Sequence, residues 1–207
     1  MKKIILLIIC FSLLSTSAFA DKANNWIMLR GAWTNYVNYP SSDNAKNVSR
    51  LLPAKPHSRV DKETLDYIYD RDGNYRILER QIISSDPAAV ELAFRLYTIA
   101  DGAFAEELDI FLGELVRINP KLFLKKLKEH RNIVGGGFDG LLGNFGYVYV
   151  DKLKAHALET SLRIEALRSV NDKSLLSVRD ECIQELNRQL IEQKRDLPVI
   201  KNNGKEN

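Results

Sequence analysis

The chain has 207 residues, with 30 Lys and Arg against 27 Asp and Glu, for a formal charge of +3. That near balance leaves no strongly basic surface, so nucleic acid is not implied as a partner. The length suits one domain or two small ones and can bury about 70% of its unfolded surface without metal or disulfide staples.

Met1 to Ala20 reads as a cleaved export signal. Lys2-Lys3 forms a positive start, Ile4 to Leu14 an apolar core, and Ala18-Phe19-Ala20 a small-x-small cleavage site. The apolar run is shorter than the roughly 20 residues that span a bilayer, so no transmembrane anchor is expected after cleavage. Ile9 stands where a lipoprotein signal carries a small residue, which argues against acylation at Cys10. Cleavage after Ala20 takes twenty residues from 207 to leave 187, and the loss of Lys2 and Lys3 lowers the charge from +3 to +1. The expected location is the periplasm or beyond. Cys182 is then the single cysteine. It lies in line with Leu175, Val178 and Leu186 and reads as a buried structural thiol, with a nucleophile or an intermolecular disulfide as the alternatives.

Residues 21–56 read as a helical hairpin. Trp26, Leu29, Trp33, Tyr36 and Val37 fall at helical spacing, and the two tryptophans suit one buried stripe. Tyr39 to Asp43 interrupts it, and Ala45, Val48, Leu51 and Leu52 make a second helix that Pro53 ends. Lys55 to Val60, with Pro56 and His57, reads as a linker before a main helical domain over 57–195. Asp61 to Ser84 gives two short helical pieces around Asp70-Arg71-Asp72-Gly73. Read as a calcium loop, Asp70, Asp72 and Glu79 take ligand positions, but Ile68 occupies the first position, which needs an oxygen. No metal site is assigned, and a solvated turn explains the same residues.

Asp86-Pro87 and Asn119-Pro120 each place a capping side chain before a proline, which marks a helix start. Val90, Phe94 and Tyr97 follow the first; Phe104, Leu108, Phe111, Leu112, Leu115 and Ile118 form a helix after the Asp101-Gly102 break; Leu122, Phe123, Leu124 and Leu127 follow the second proline. Stripes this wide need covering by neighbouring helices. The stretch Ser84 to Arg131 loosely resembles the helical hairpins of HEAT-type repeat proteins, without a strict repeat period. The resemblance implies a scaffold that binds partners on a curved helical surface.

Lys121, Lys125, Lys126 and Lys128 form a basic strip near Arg131, suited to a helix C-terminus or to an acidic partner. A glycine-rich loop follows at 134–146. Gly135, Gly137 and Gly140 satisfy G-x-G-x-x-G, but a basic helix end rather than a buried strand precedes them, so no dinucleotide or other cofactor is expected. The glycines read as a connection, and Phe138, Asp139 and Asn144 as candidates to touch a partner, together with Lys125 and Lys128. Tyr147 to Val170 and Asn171 to Arg195 form two long antiparallel helices. Val150, Leu153, Ala157, Ile164 and Leu167, widened by Leu158 and Leu162, make one stripe; Leu175, Val178, Cys182, Ile183, Leu186, Leu190 and Ile191 make the other. Arg163, Arg168 and Arg179 alternate with Glu159, Glu165, Asp180 and Glu181 as a solvated face. Residues 196–207 lack periodicity and read as a disordered tail.

His57, His130 and His156 show no metal spacing, and neither G-x-S-x-G nor a Cys-His pairing appears. Glu106, Glu107 and Asp109 cluster near a helix start, where carboxylates suit the dipole. The fold expected is all-α, with antiparallel hairpins stacked as an irregular bundle or a HEAT-like right-handed array. The function expected is a non-catalytic module that binds a protein partner in the cell envelope, such as an inhibitor or immunity protein. The alternative is an envelope hydrolase using Glu106 and Glu107.

Overall fold

The computed structural model describes residues 25–54, 61–69, 73–134, 138–149 and 151–195. The segment read as an export signal, the expected linker with His57, the Asp70 and Asp72 pair and residues 196–207 lie outside them. The described residues form eleven α-helices and two 3-10 turns, with no strand among them, so the fold is all-α. They divide into two compact units at Asp101/Gly102.

The first unit holds α1 (residues 25–38), α2 (Ser42–Leu51), α3 (Lys62–Tyr69), α4 (Tyr75–Ile83) and α5 (Pro87–Leu96). Its ordering begins with local signals. Ser85 takes a left-handed φ of 62°, and the amides of Ser85 and Asp86 return to the carbonyls of Ile82 and Gln81, closing α4 in a Schellman motif. Asp86 then opens α5, its carboxylate accepting from the amides of Ala88 and Ala89 at 2.8 Å, with Pro87 at the position where no donor is lost. Ser42 donates to the other Asp86 oxygen at 2.6 Å, which ties the start of α2 to the start of α5. These two helices pack against each other, and α5 also packs on α4. On α1, Leu29, Trp33 and Tyr36 are buried as the spacing required, while Trp26 is only half-buried. Ile68 is a core residue, and Glu79 pairs with Arg76 at 3.3 Å.

The second unit holds α6 (Gly102–Ile118), α7 (Pro120–Glu129), α8 (Arg131–Val134), α9 (Phe138–Gly143), a 3-10 turn at Tyr147–Tyr149, α10 (Leu153–Arg168), a 3-10 turn at Lys173–Leu175 and α11 (Leu176–Arg195). Asn119 caps α7 by accepting from the Leu122 amide at 3.1 Å. The pair α10 and α11 is antiparallel. Arg179 donates to the Val170 carbonyl at 2.9 Å near the turn, and Gln193 meets Thr160 at 3.0 Å toward the far end. Cys182 is fully buried with Leu175, Val178 and Leu186, and burial pushes its thiol up to about 12.

Two expectations for this unit need correction. The glycine-rich stretch is not simply a connection, because Phe138–Gly143 forms a helix that buries Leu141 and Leu142. Its glycines serve close packing: a Cβ on Gly140 would meet the Asp109 carboxylate, and one on Gly143 would collide with the Gln189 side chain. The polar face assigned to α10 is also wrong at its centre. Arg163 is 1% exposed, whereas Leu158, placed on the apolar stripe, is 61% exposed. The apolar positions Ile118 and Ile191 face solvent as well.

Candidate binding pocket

Arg163 organises the second unit. It falls on the face of α10 that buries Thr160, Ile164 and Leu167, and a buried guanidinium must find partners there. Its Nη1 donates to the Leu142 carbonyl at 2.6 Å, satisfying an acceptor in the last turn of α9 that the helix leaves unpaired. The guanidinium lies 3.9 Å from the centroid of the Phe145 ring, within cation–π range. Glu159, one turn earlier, stands 3.7 Å from Nε, an ion-pair distance too long for a hydrogen bond. That Nε is buried without a hydrogen-bond partner. Burial pulls the guanidinium down to about 10, with Glu159 and Glu114 opposing, so it stays charged at neutral pH.

Gly113 on α6 makes the room. A Cβ there would lie 2.7 Å from Arg163 Nη1 and 2.9 Å from the Leu141 carbonyl oxygen. The residue must be glycine for α6, α9 and the arginine to meet as they do. Beside Arg163 opens a cavity of about 190 Å³, lined by Ile110, Glu114, Arg117 and Ile118 of α6, Phe145, Tyr149, and Glu159 of α10. Arg117 holds Glu159 from the opposite side at 2.8 Å. The carboxylate of Glu159 is therefore gripped between two arginines, with both of its oxygens engaged.

Phe145 separates this cavity from a polar depression. On its other side the His156 ring meets it edge-on at 4.6 Å. His156 Nε2 lies 3.2 Å from Gln193 Nε2, and Gln193 Oε1 lies 3.0 Å from Thr160 Oγ1. Burial lowers the His156 pKa; a hydrogen bond to Gly143 opposes that shift and the Arg163 charge adds to it.

Asp139 and Asn144 line this depression together with Gly143, His156, Arg188 and Gln189. Asp139 is exposed, and its carbonyl accepts from Gln189 at 3.0 Å. Asn144 is half-buried and does structural work, accepting from the Gly146 amide at 3.0 Å and donating to the Glu106 carbonyl at 3.3 Å. Phe138 opens α9. Lys128 belongs elsewhere: it donates to the Ser174 carbonyl at 2.9 Å, beside a shallow hollow with Arg131 and Glu181. Lys125 is exposed and lines neither hollow. Neighbours in the basic strip are ion-paired, Lys121 with Asp172 and Lys126 with Glu129. Of the acids suggested for hydrolysis, Glu106 is exposed and Glu107 half-buried; neither lines the Arg163 cavity.

The residues that build the cavity escaped the sequence reading, although one signal was present. Thr160, Arg163, Ile164 and Leu167 fall at i, i+3, i+4 and i+7, so the arginine sits inside a core stripe. No protein-family model matches this chain, and it has no match among curated proteins or solved structures.

Proposed function

We propose that the protein is an exported, non-catalytic helical module that binds a protein partner in the cell envelope. The observation that carries this reading is the turn after α9. Tyr147 is 88% exposed and Val148 is 51% exposed, while Tyr149, in the same turn, lines the Arg163 cavity beside the exposed Ile118. Aromatic and apolar groups held in water next to arginines are the composition of protein-binding hot spots.

Export rests on Lys2-Lys3, the Ile4 to Leu14 run and Ala18-Phe19-Ala20. No helix among the described residues is long and apolar enough to cross a membrane. The non-catalytic reading draws on Glu159, which is held by two arginines, and on Cys182, whose buried thiol is a poor source of thiolate. An inhibitor or immunity protein is one specific form of this reading, since it needs only an export signal and a binding surface.

The test is capture from native envelope extract, followed by titration of the purified partner against wild type and a Tyr147→Ser/Val148→Ser double variant. The expected result is one saturable partner whose affinity falls at least about tenfold in the variant, on the order of 1.4 kcal/mol. A partner held equally by both proteins sinks the surface assignment. No saturable partner from any envelope fraction sinks the reading itself.

A further inference from the structure

We propose that the cavity beside Arg163 binds a small zwitterion of the α-amino-acid class with an apolar side chain. Three observations on the cavity lead there: its charge, its size and the order of groups along α6.

The charged side chains around it are Arg117 and Arg163 against Glu114 and Glu159, a formal sum of zero. A ligand of one sign would meet like charge as well as unlike charge inside this site. A molecule carrying both signs can place its carboxylate on an arginine and its ammonium on a glutamate. The cavity of about 190 Å³ is below the roughly 300 Å³ floor for drug-sized and cofactor ligands. At about 30 Å³ for each water's share of liquid volume, it has room for on the order of six waters. That is the scale of a single amino acid.

Along α6, Ile110, Glu114, Arg117 and Ile118 follow at spacings that put all four on one face. Arg117 has a half-exposed side chain and uses Nη1 on Glu159, which leaves further guanidinium donors for a carboxylate fork. Glu114, one turn before Ile118, supplies the negative end. Ile110, Ile118 and the rings of Phe145 and Tyr149 give the apolar side chain its wall. Arg163 is a positioning residue here. It lines the cavity but is almost sealed from solvent, holding Glu159 and the Phe145 ring in place, and its charge acts on the cavity through a poorly screening interior.

The site lies within one chain and needs no protein partner, so it stands or falls separately from the protein-binding reading. Isothermal titration calorimetry on protein purified from the cells that make it tests the inference directly. The probes are L-leucine and L-phenylalanine, against N-acetyl-L-leucine, which lacks the ammonium, and L-leucinamide, which lacks the carboxylate. The expected result is saturable binding of a zwitterion, with each blocked form at least about tenfold weaker. Glu114→Gln should bring leucine down to the level of N-acetyl-leucine while leaving the latter unchanged. Arg117→Met should do the same for leucine relative to leucinamide, with thermal melts confirming that both variants are folded. Absence of heat with both zwitterions, or equal binding of the blocked forms, overturns the proposal. Equal loss of all four probes in a folded Glu114→Gln variant also overturns it, since the two ends would then not be read separately.

Discussion

In each unit a largely buried arginine closes the end of another helix, and the two differ in what surrounds the charge. In the first unit Arg95 of α5 donates to the carbonyls of Leu52 and Pro53 at 2.9 and 3.2 Å, where α2 has run out of its own donors. In the second, Arg163 of α10 donates to Leu142 near the end of α9 at 2.6 Å. Both leave a buried Nε without a hydrogen-bond partner. Arg95 stays partly exposed and lets water share its charge; Arg163 is sealed and relies on Glu159 and a ring face. The same device is thus a helix cap in one unit and the fixed charge of a cavity in the other.

The largest expected effect is on that sealed charge. Arg163→Ala should cost about 3–5 kcal/mol, the range for removing one partner of a buried ion pair, because the buried Leu142 carbonyl loses its donor, the Phe145 ring loses its cation and Glu159 keeps only the half-exposed Arg117. Denaturant melts check it. Arg163→Met/Glu159→Gln should recover part of the loss, because neither new side chain is charged. If Arg163→Ala costs no more than the equivalent change at Arg95, burial is not what distinguishes the two.

Next in size is Gly113→Ala, with an expected loss of about 1–3 kcal/mol from overpacking. One of its two close neighbours is the Leu141 backbone, which cannot swing aside as a flexible side chain does. A neutral or stabilising outcome, as alanine gives in an open helix, would show that α6 and α9 do not meet this closely. Arg95→Ala should cost about 1–2 kcal/mol, the scale of charge-assisted hydrogen bonds partly replaced by water. The ranking of the three values is the sharper test of the comparison.

The comparison also separates what the sequence could say from what it could not. Asp86-Pro87 and Asn119-Pro120 were legible because a cap is a local object: the side chain, the proline and the amides it serves lie within four residues. The stripes of α1 and α11 were legible in their centres, at Leu29, Trp33, Cys182 and Leu186, for the same reason of short-range periodicity. Arg163 was not, because its burial depends on Gly113, fifty residues earlier, and on the carbonyl of a helix hidden in a glycine-rich stretch. Gly140 and Gly143 looked like freedom of the backbone and are instead points of close approach. A glycine at a packing contact and a glycine in a turn are the same letter, and only the neighbouring chain tells them apart.

The smallest effect lies on the far side of Phe145. His156 has its pKa lowered by burial, against the opposing hydrogen bond to Gly143 and with help from the like charge of Arg163. The unfolded chain therefore takes up a proton first as the pH falls. The stabilising contribution is full above the ordinary histidine value of about 6.5 and is lost as the pH drops through the lower folded value. Protonation also puts a donor on Nε2 where Gln193 presents its amide nitrogen, so Gln193 would have to turn and rearrange its contact with Thr160. Thermal melts at pH 8 and pH 5 should show a larger acid loss in wild type than in His156→Gln. An equal loss in both would place the sensitivity at another group. Arg163→Met gives the cross-check: with the like charge removed, the His156 pKa should rise toward its ordinary value and the acid loss should shrink. A change at the sealed arginine would then be read out two turns away on the same helix, across the ring that separates them.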